Sequence, residues 1–406
     1  MKRVVITGMG VISPLGNSVS AMMDGLAAGT SAVERMDGWS VYKGLRSLVA
    51  APAAAVDEKK IPRQNRRSMG RLAIFAVLAA EQAVADAGLS SEELTGGRIG
   101  CVVGSTMGSA GSINETFEQM LPARDLSNLT SMKFFQCVSH TAAMNISQYM
   151  GITGTILATS AACASGLQAV GTGFDLIRTG RQDCVLCGGA EELHPTVTGS
   201  FDVLFATSTK YNDTPKNTPR PFDRDRDGLV CGEGGGILIL EDYDRAVARG
   251  AKIYAEVLGY NTCGSGIHVS QSNAPAMVRC MRDVLADSNL QADEIDYISA
   301  HATATLQGDV EEADAIREIF GDRVPVSSLK GHMGHTLGAS GAIELIATLK
   351  MMEQNIIYPT LNLEHIDPAC AGIQHVLKPV HKPVNTIIKN SFAFGGINAA
   401  LACRKV

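Results

Sequence analysis

Along most of its length the chain alternates short β-branched runs with longer amphipathic ones, and this alternation sharply limits the folds open to it. Strand-type runs are "RVVITG", "RIGCVVGS", "TILATS", "DCVLCGG", "GGGILILE", "IYAEVLGY", "IDYISAHA", "VPVSSL" and "TIIKNSF". Helix-type runs cover Arg71–Ala87, Ala164–Arg178, Pro275–Ser288, Val310–Phe320 and Ala339–Gln354. Pro275 is expected at the first helical position, where its missing N–H costs nothing. Strands alternating with helices predict an α/β fold with well-covered sheets. At 406 residues and 45% hydrophobic content, the chain suffices for one large core or two medium ones. The most loop-like internal stretch is Lys210–Gly228, rich in Pro, Asn and Asp.

Charge and hydropathy exclude several classes. A formal net charge of -6 argues against a nucleic-acid surface or a polybasic membrane tail. The longest apolar stretch, Leu72–Ala80, ends at Glu81, too short for a bilayer. The start, "MKRVVITGMG", reads as a strand rather than a signal peptide, so a cytoplasmic protein without membrane insertion is expected. Ten scattered cysteines do not suggest a disulfide framework. Cys184 and Cys187 have CxxC spacing but no second ligand pair, and read as core cysteines. "GMGVIS" has Ser13 where a dinucleotide fingerprint needs a small third residue for close helix packing.

A short repeat adds to the fold reading. Ala164-Ser165-Gly166 and Ala339-Ser340-Gly341 each open an amphipathic helix that follows a strand. The repeat implies two similar halves, residues 1–250 and 251–406, each placing a helix centrally.

Reactive side chains collect at strand ends, where open α/β sheets place their chemistry. One end delivers Cys163, a second His301, a third Lys330, His332 and His335, and a fourth Asn390, Phe392 and Phe394. Cys163 stands between a strand and a helix N-terminus. There the helix dipole is expected to lower its pKa, and free N–H groups to bind an oxyanion. Small neighbours, Ala161, Ala162, Ala164 and Gly166, leave room for a large substrate. A cysteine, two histidines and a lysine suit acyl transfer. Residue type alone equally allows a packing cysteine, a core His301, a surface His332 and a solvated Lys330.

Four ordered motifs carry a resemblance over essentially the whole length. "TSAACASG", "AHATAT", "KGHMGHTLGASG" and "PFDRDRDGLVCGEGGG" resemble the nucleophile, first-histidine, lysine/second-histidine and glycine-rich motifs of β-ketoacyl-[acyl-carrier-protein] synthases, closest to the type I bacterial group. The resemblance implies a thiolase-like fold of duplicated halves in five layers, αβαβα. It also implies a homodimer in which the partner completes each acyl pocket.

The resemblance further assigns roles by position. Cys163 is the nucleophile, with the N–H groups of Cys163 and Phe394 as oxyanion hole. His301 and His335 donate to the malonyl thioester oxygen during decarboxylation. Lys330 orders the histidines and the local field, and Glu344 is an acidic residue near it, counted with the substrate-binding positions. Thr303 and Thr305 hold the phosphopantetheine arm. Phe392 lies in a gating loop, and Met107 at the far end of the acyl pocket. No metal or organic cofactor is required, because decarboxylation supplies the driving force. The partner is acyl carrier protein, acidic like this chain, so docking needs a local basic patch. Lys59, Lys60, Arg63, Arg66, Arg67 and Arg71 supply one, and Arg63 and Arg67 match the family's docking cluster.

Three positions depart from the family pattern. Ala302 and Ala393 replace glycines, and Leu306 replaces a proline; the alanines are expected to introduce strain and stiffen the pocket. Ile397 stands where threonine is common. Rival readings are weaker. A thiolase would carry a second active cysteine near the C-terminus, which Cys403 in "LACRKV" does not match. A synthase III would replace one histidine by asparagine. A polyketide or aryl-polyene ketosynthase would share the motifs. A non-catalytic chain-length-factor-like subunit would usually lack Cys163.

Overall fold

The structure is a computed structural model describing residues 1–406. Strand β1 (Val4–Ile12) continues through Gly8 and Gly10 despite a register shift between Ile6 and Gly8. The reason is helix α1 (Arg71–Ala87), which lies directly on it. A Cβ on Gly8 would stand 2.3 Å from the Ala83 carbonyl oxygen, and one on Gly10 would stand 2.0 Å from that of Ala79. The Gly-x-Gly pair thus serves close strand–helix packing rather than a cofactor.

In the first half, β1 is joined by β2 (Ile99–Gly104), β3 (Ile156–Leu157), β4 (Cys184–Glu191) and β5 (Gly234–Asp242), in the spatial order β1-β5-β4-β2-β3. β5 is antiparallel to both neighbours, and the other pairings are parallel. The second half holds β6 (Ala255–Gly264), β7 (Tyr297–Ser299), β8 (Pro325–Ser327), β9 (Gln374–His375), β10 (Thr386–Ala393) and β11 (Ile397–Arg404). Their order is β6-β11-β10-β7-β8-β9. Setting β9 aside, both sets read first, fifth, fourth, second, third, with the same sense at every pairing. The topology is duplicated. The two first strands also pair with each other, Val4–Ile6 against Ala255–Val257, so the ladders are continuous across all eleven strands. This pairing satisfies edge N–H and C=O groups that would otherwise stay open.

Helices complete a five-layer, thiolase-like arrangement. α1 covers the first set from one side, and α3 (Ala274–Asp287), backed by α4 (Leu306–Phe320), covers the second. Between them lie α2 (Ser165–Arg178) and α5 (Ser340–Gln354), packed on each other and on strands of both halves. This explains the Ala-Ser-Gly repeat. A Cβ on Gly166 would meet the Gly338 carbonyl oxygen at 2.5 Å, and one on Gly341 the Leu167 nitrogen at 2.7 Å. The two helices start against each other, and only glycine fits the contact.

Several sequence expectations are corrected. "TILATS" forms only the two-residue strand β3. α3 begins at Ala274, capped by the Asn273 side chain, so Pro275 is the second helical residue, not the first. β11 was not anticipated, because a strand buried along nearly its whole length shows no polar alternation. Lys210–Gly228 is irregular as expected, yet firmly held. Asp223 accepts N–H bonds from Asp225, Glu364 and His365, tying the loop to the second half.

Candidate active site

The turn before α2 presents the cysteine. Ala162 adopts a left-handed φ of 47°. Ser165 Oγ accepts the Ala161 N–H at 2.8 Å and lies 2.6 Å from the Ala162 carbonyl oxygen, fastening the turn. Cys163 is 4% exposed. Neither its N–H nor that of Phe394 is donated to another group of the chain, so both are free for an oxyanion.

His301 follows β7 and His335 follows β8, and both converge on Cys163. Sγ and one nitrogen from each ring lie within 4.8 Å of one another. The imidazoles meet edge to face, 5.2 Å between centroids at 81°. Thr303, Thr305, Phe392 and Phe394 line the same cavity, with Leu229, Ser272 and Met277. The threonine hydroxyls are 3.1 Å apart. His301 Nδ1 and both nitrogens of His335 are buried with no partner in the chain. Buried polar atoms are rarely left so, and the cavity between them suits a ligand oxygen. His332 behaves differently: its ring nitrogens face the Thr30 and Pro359 carbonyls, and it is a core histidine.

Behind the histidines lies a buried charge cluster. Lys330 Nζ is 2.7 Å from Glu344 Oε1, and Lys389 Nζ is 2.6 Å from Glu344 Oε2. Lys389 also donates to the Asn390 carbonyl at 2.7 Å. Glu344, expected among the substrate-binding residues, does not line the cavity; its carboxylate lies between two buried lysines. Lys330 likewise acts through its field. Burial, then the charge of Lys330, holds His301 and His335 well below the ordinary imidazole value. The expected lowering of the Cys163 pKa is reversed: burial pushes the thiol up to about 12, against an opposing pull from Lys330. Desolvation of the thiolate is the largest cause of the rise. The resting site is therefore a neutral thiol beside two neutral imidazoles, either of which is a base for its proton.

This has a pH consequence. A lowered histidine pKa means that each ring has already lost its proton below the ordinary imidazole value of 6.5. Malonyl decarboxylation is expected to run level as pH falls through that value. A rate that declines with a midpoint there would contradict neutral histidines.

Other positioning residues escaped the sequence reading. Glu312 on α4 accepts the N–H groups of His301 and Ala302 at 2.8 and 2.6 Å, and the Asn390 amide at 3.1 Å. Asp309 accepts those of Ala304 and Phe222. Arg226, in the glycine-rich motif, donates to the Thr305 and Leu306 carbonyls and pairs with Asp367. The available signal was Asp309 and Glu312, three apart on the helix that follows "AHATAT". Lys389 gave no signal beyond a charge inside an apolar strand.

The expected alanine strain is absent. Neither Ala302 nor Ala393 has positive φ; Ala304, Gly395 and Gly396 take that role. Ala393 ends β10, paired with Ile397. Leu306 opens α4, a position where proline and leucine are both tolerated because that N–H has no intrahelical acceptor.

Two sets of expected residues lie outside the cavity. Met107 is 43% exposed. Arg63 and Arg67 are exposed at a corner without ion-pair partners, whereas Arg66 pairs with Glu58 and Arg71 with Glu233. The basic patch thus reduces to Lys59, Lys60, Arg63 and Arg67.

A thiolase-like fold that joins a cysteine, two histidines and two free N–H groups in one cavity defines a condensing-enzyme site. The chain belongs to the β-ketoacyl synthase family: residues 1–246 match its N-terminal domain and residues 254–364 its C-terminal domain. It is 37% identical to 3-oxoacyl-[acyl-carrier-protein] synthase 1 of Escherichia coli, over 100% of both chains. A β-ketoacyl synthase from Burkholderia phymatum superimposes with a TM-score of 0.97 at 45% identity, again over 100% of both. The type II polyketide ketosynthase AntDE, solved with its acyl carrier protein AntF, gives 0.92 at 31% identity, over 100% of this chain and 99% of that one.

Proposed function

We propose that the protein is a 3-oxoacyl-[acyl-carrier-protein] synthase that elongates acyl chains by decarboxylative condensation. The observation that carries this reading is the convergence of Cys163 Sγ with ring nitrogens of His301 and His335 within 4.8 Å. Cys163 passes its proton to a histidine and attacks an acyl thioester on acyl carrier protein. The Cys163 and Phe394 N–H groups hold the oxyanion, and the carrier thiol leaves with a proton. Malonyl thioester then binds with its carbonyl oxygen toward the unpartnered nitrogens of His301 and His335, while Thr303 and Thr305 hold the pantetheine arm. Loss of carbon dioxide leaves an enolate whose carbon attacks the acyl-Cys163 thioester. The product is a 3-oxoacyl thioester, and the cysteine is regenerated. An assay with malonyl-carrier and acyl-carriers of graded length tests this; no condensation with any length would overturn it. Polyketide elongation is the second reading, favoured by the structural likeness to AntDE. It predicts repeated extension without intervening reduction in the same assay.

Acyl carrier protein is the proposed partner, docking at Lys59, Lys60, Arg63 and Arg67. Charge reversal at Arg63 and Arg67 is expected to raise KM for carrier-linked substrates severalfold with little change in kcat. An unchanged KM would place docking elsewhere. A homodimer is supported by β3, an edge strand with Ile156 and Leu157 exposed, and by exposed Phe134 and Phe135. In that assembly Met107 would reach the partner's acyl pocket. Sedimentation should give a dimer that Leu157→Lys weakens; a monomeric wild type would sink this reading. The halves 1–250 and 251–406 are proposed as the duplicated units. All ten cysteines are unpaired, which suits a reducing compartment such as the cytoplasm.

A further inference from the structure

We propose that Cys263 and Cys280 form a second thiol site, a pair poised for reversible oxidation to a disulfide. Cys263 is the penultimate residue of β6, and Cys280 lies midway along α3, which packs on that strand. The two sulfurs face each other's element. Cys263 Sγ is 3.6 Å from the Ala276 carbonyl oxygen, one turn before Cys280, and Cys280 Sγ is 3.7 Å from that of Asn261, two residues before Cys263. Each S–H is thereby directed at a backbone carbonyl of the other cysteine's element. Cys263 is partly exposed, whereas Cys280 is buried. Arg279 anchors the corner, donating to the Gly264 carbonyl at 2.6 Å.

An accessible nucleophilic sulfur backed by a buried resolving sulfur is the arrangement that peroxide-sensitive pairs require. The Cys280 thiol and the Arg279 guanidinium hold the Cys263 thiol below its ordinary value, while Cys280 is raised in turn. Cys184 and Cys187 offer no such pair, because they sit in different core clusters on opposite faces of β4. The site also borders the cavity. Met277, three residues before Cys280, lines it, and Ser265 donates to the Gly396 carbonyl at 2.7 Å in the turn after Phe394.

With hydrogen peroxide as oxidant, the Cys263 thiolate attacks one peroxide oxygen and the O–O bond breaks. The products are a sulfenic acid and, after protonation, water. The Cys280 sulfur then attacks the Cys263 sulfur, its proton leaves with the hydroxyl as a second water, and the S–S bond forms. Two electrons pass from the sulfurs to peroxide.

The test is peptide mapping of the full chain after brief treatment with hydrogen peroxide near neutral pH. The expected product is a peptide joining Cys263 to Cys280, two hydrogens lighter and released by dithiothreitol. Iodoacetamide labelling of Cys263 should slow about tenfold in Cys280→Ala, which loses the neighbouring thiol. The proposal is overturned if the wild-type chain yields no linked peptide, or if Cys263 reaches sulfinic acid while Cys280 stays a free thiol. Equal labelling rates with and without Cys280 would also overturn it.

Discussion

Cys163→Ala is expected to lower condensation on the order of 10³-fold or more while leaving malonyl decarboxylation within about tenfold of wild type. The two halves of this expectation have different physical origins. Condensation needs a covalent acyl-enzyme, and Cys163 is the one thiol that lines the cavity. Decarboxylation needs only donors for the developing enolate oxygen, and the buried, unpartnered nitrogens of His301 and His335 do not depend on the sulfur. Alanine fills nearly the same small space, so the fold should persist. Cys163→Ser should not rescue condensation, because neither histidine ring is hydrogen-bonded to the carboxylate that supports an imidazole as base for a serine hydroxyl. Single-turnover acyl transfer and carbon dioxide release measure the two activities separately. Condensation retained within tenfold in Cys163→Ala would sink the covalent route.

Glu344→Leu is expected to destabilise the protein by about 3–5 kcal/mol, the effect of stranding buried charge. Lys330, Glu344 and Lys389 are all essentially inaccessible to water. One carboxylate there faces two ammonium groups, and its removal leaves two like charges with no carboxylate in ion-pair contact. Lys389→Met in the same chain should recover part of the loss, because one stranded ammonium goes with it. Glu344→Gln, which keeps the shape and an acceptor oxygen, provides a milder variant if leucine prevents folding. Urea midpoints read the differences. A loss below about 1 kcal/mol in both single variants would mean that the lysines are not held as charged groups by this carboxylate.

The cysteine and two histidines that converge in the cavity were legible because their motifs are short and local. "TSAACASG" shows a cysteine between strand and helix, and "AHATAT" and "KGHMGHTLGASG" each place a histidine just past a strand. The glycine of each Ala-Ser-Gly repeat also meant what it suggested, two helices in equivalent places. The residues that hold this set were not legible. Lys389 is one charge in an apolar strand, and Glu312 is one acid among several on α4. Each acquires its role only when a distant element lies against it. The alanines at 302 and 393 illustrate the reverse error. Their substitution for glycine implied strain, but the strained angles fall on neighbouring residues.

The sequence by itself determined the α/β class, the duplication and which strand ends carry the cysteine and two histidines that meet in the cavity. These follow from periodicity and from residue types at fixed short spacing, which are local properties of the chain. Only the tertiary structure decided the protonation of the site. Desolvation and the field of Lys330 depend on what surrounds a group in space. A cysteine at a helix N-terminus reads as acidified in sequence, yet becomes a neutral thiol once the two halves close over it.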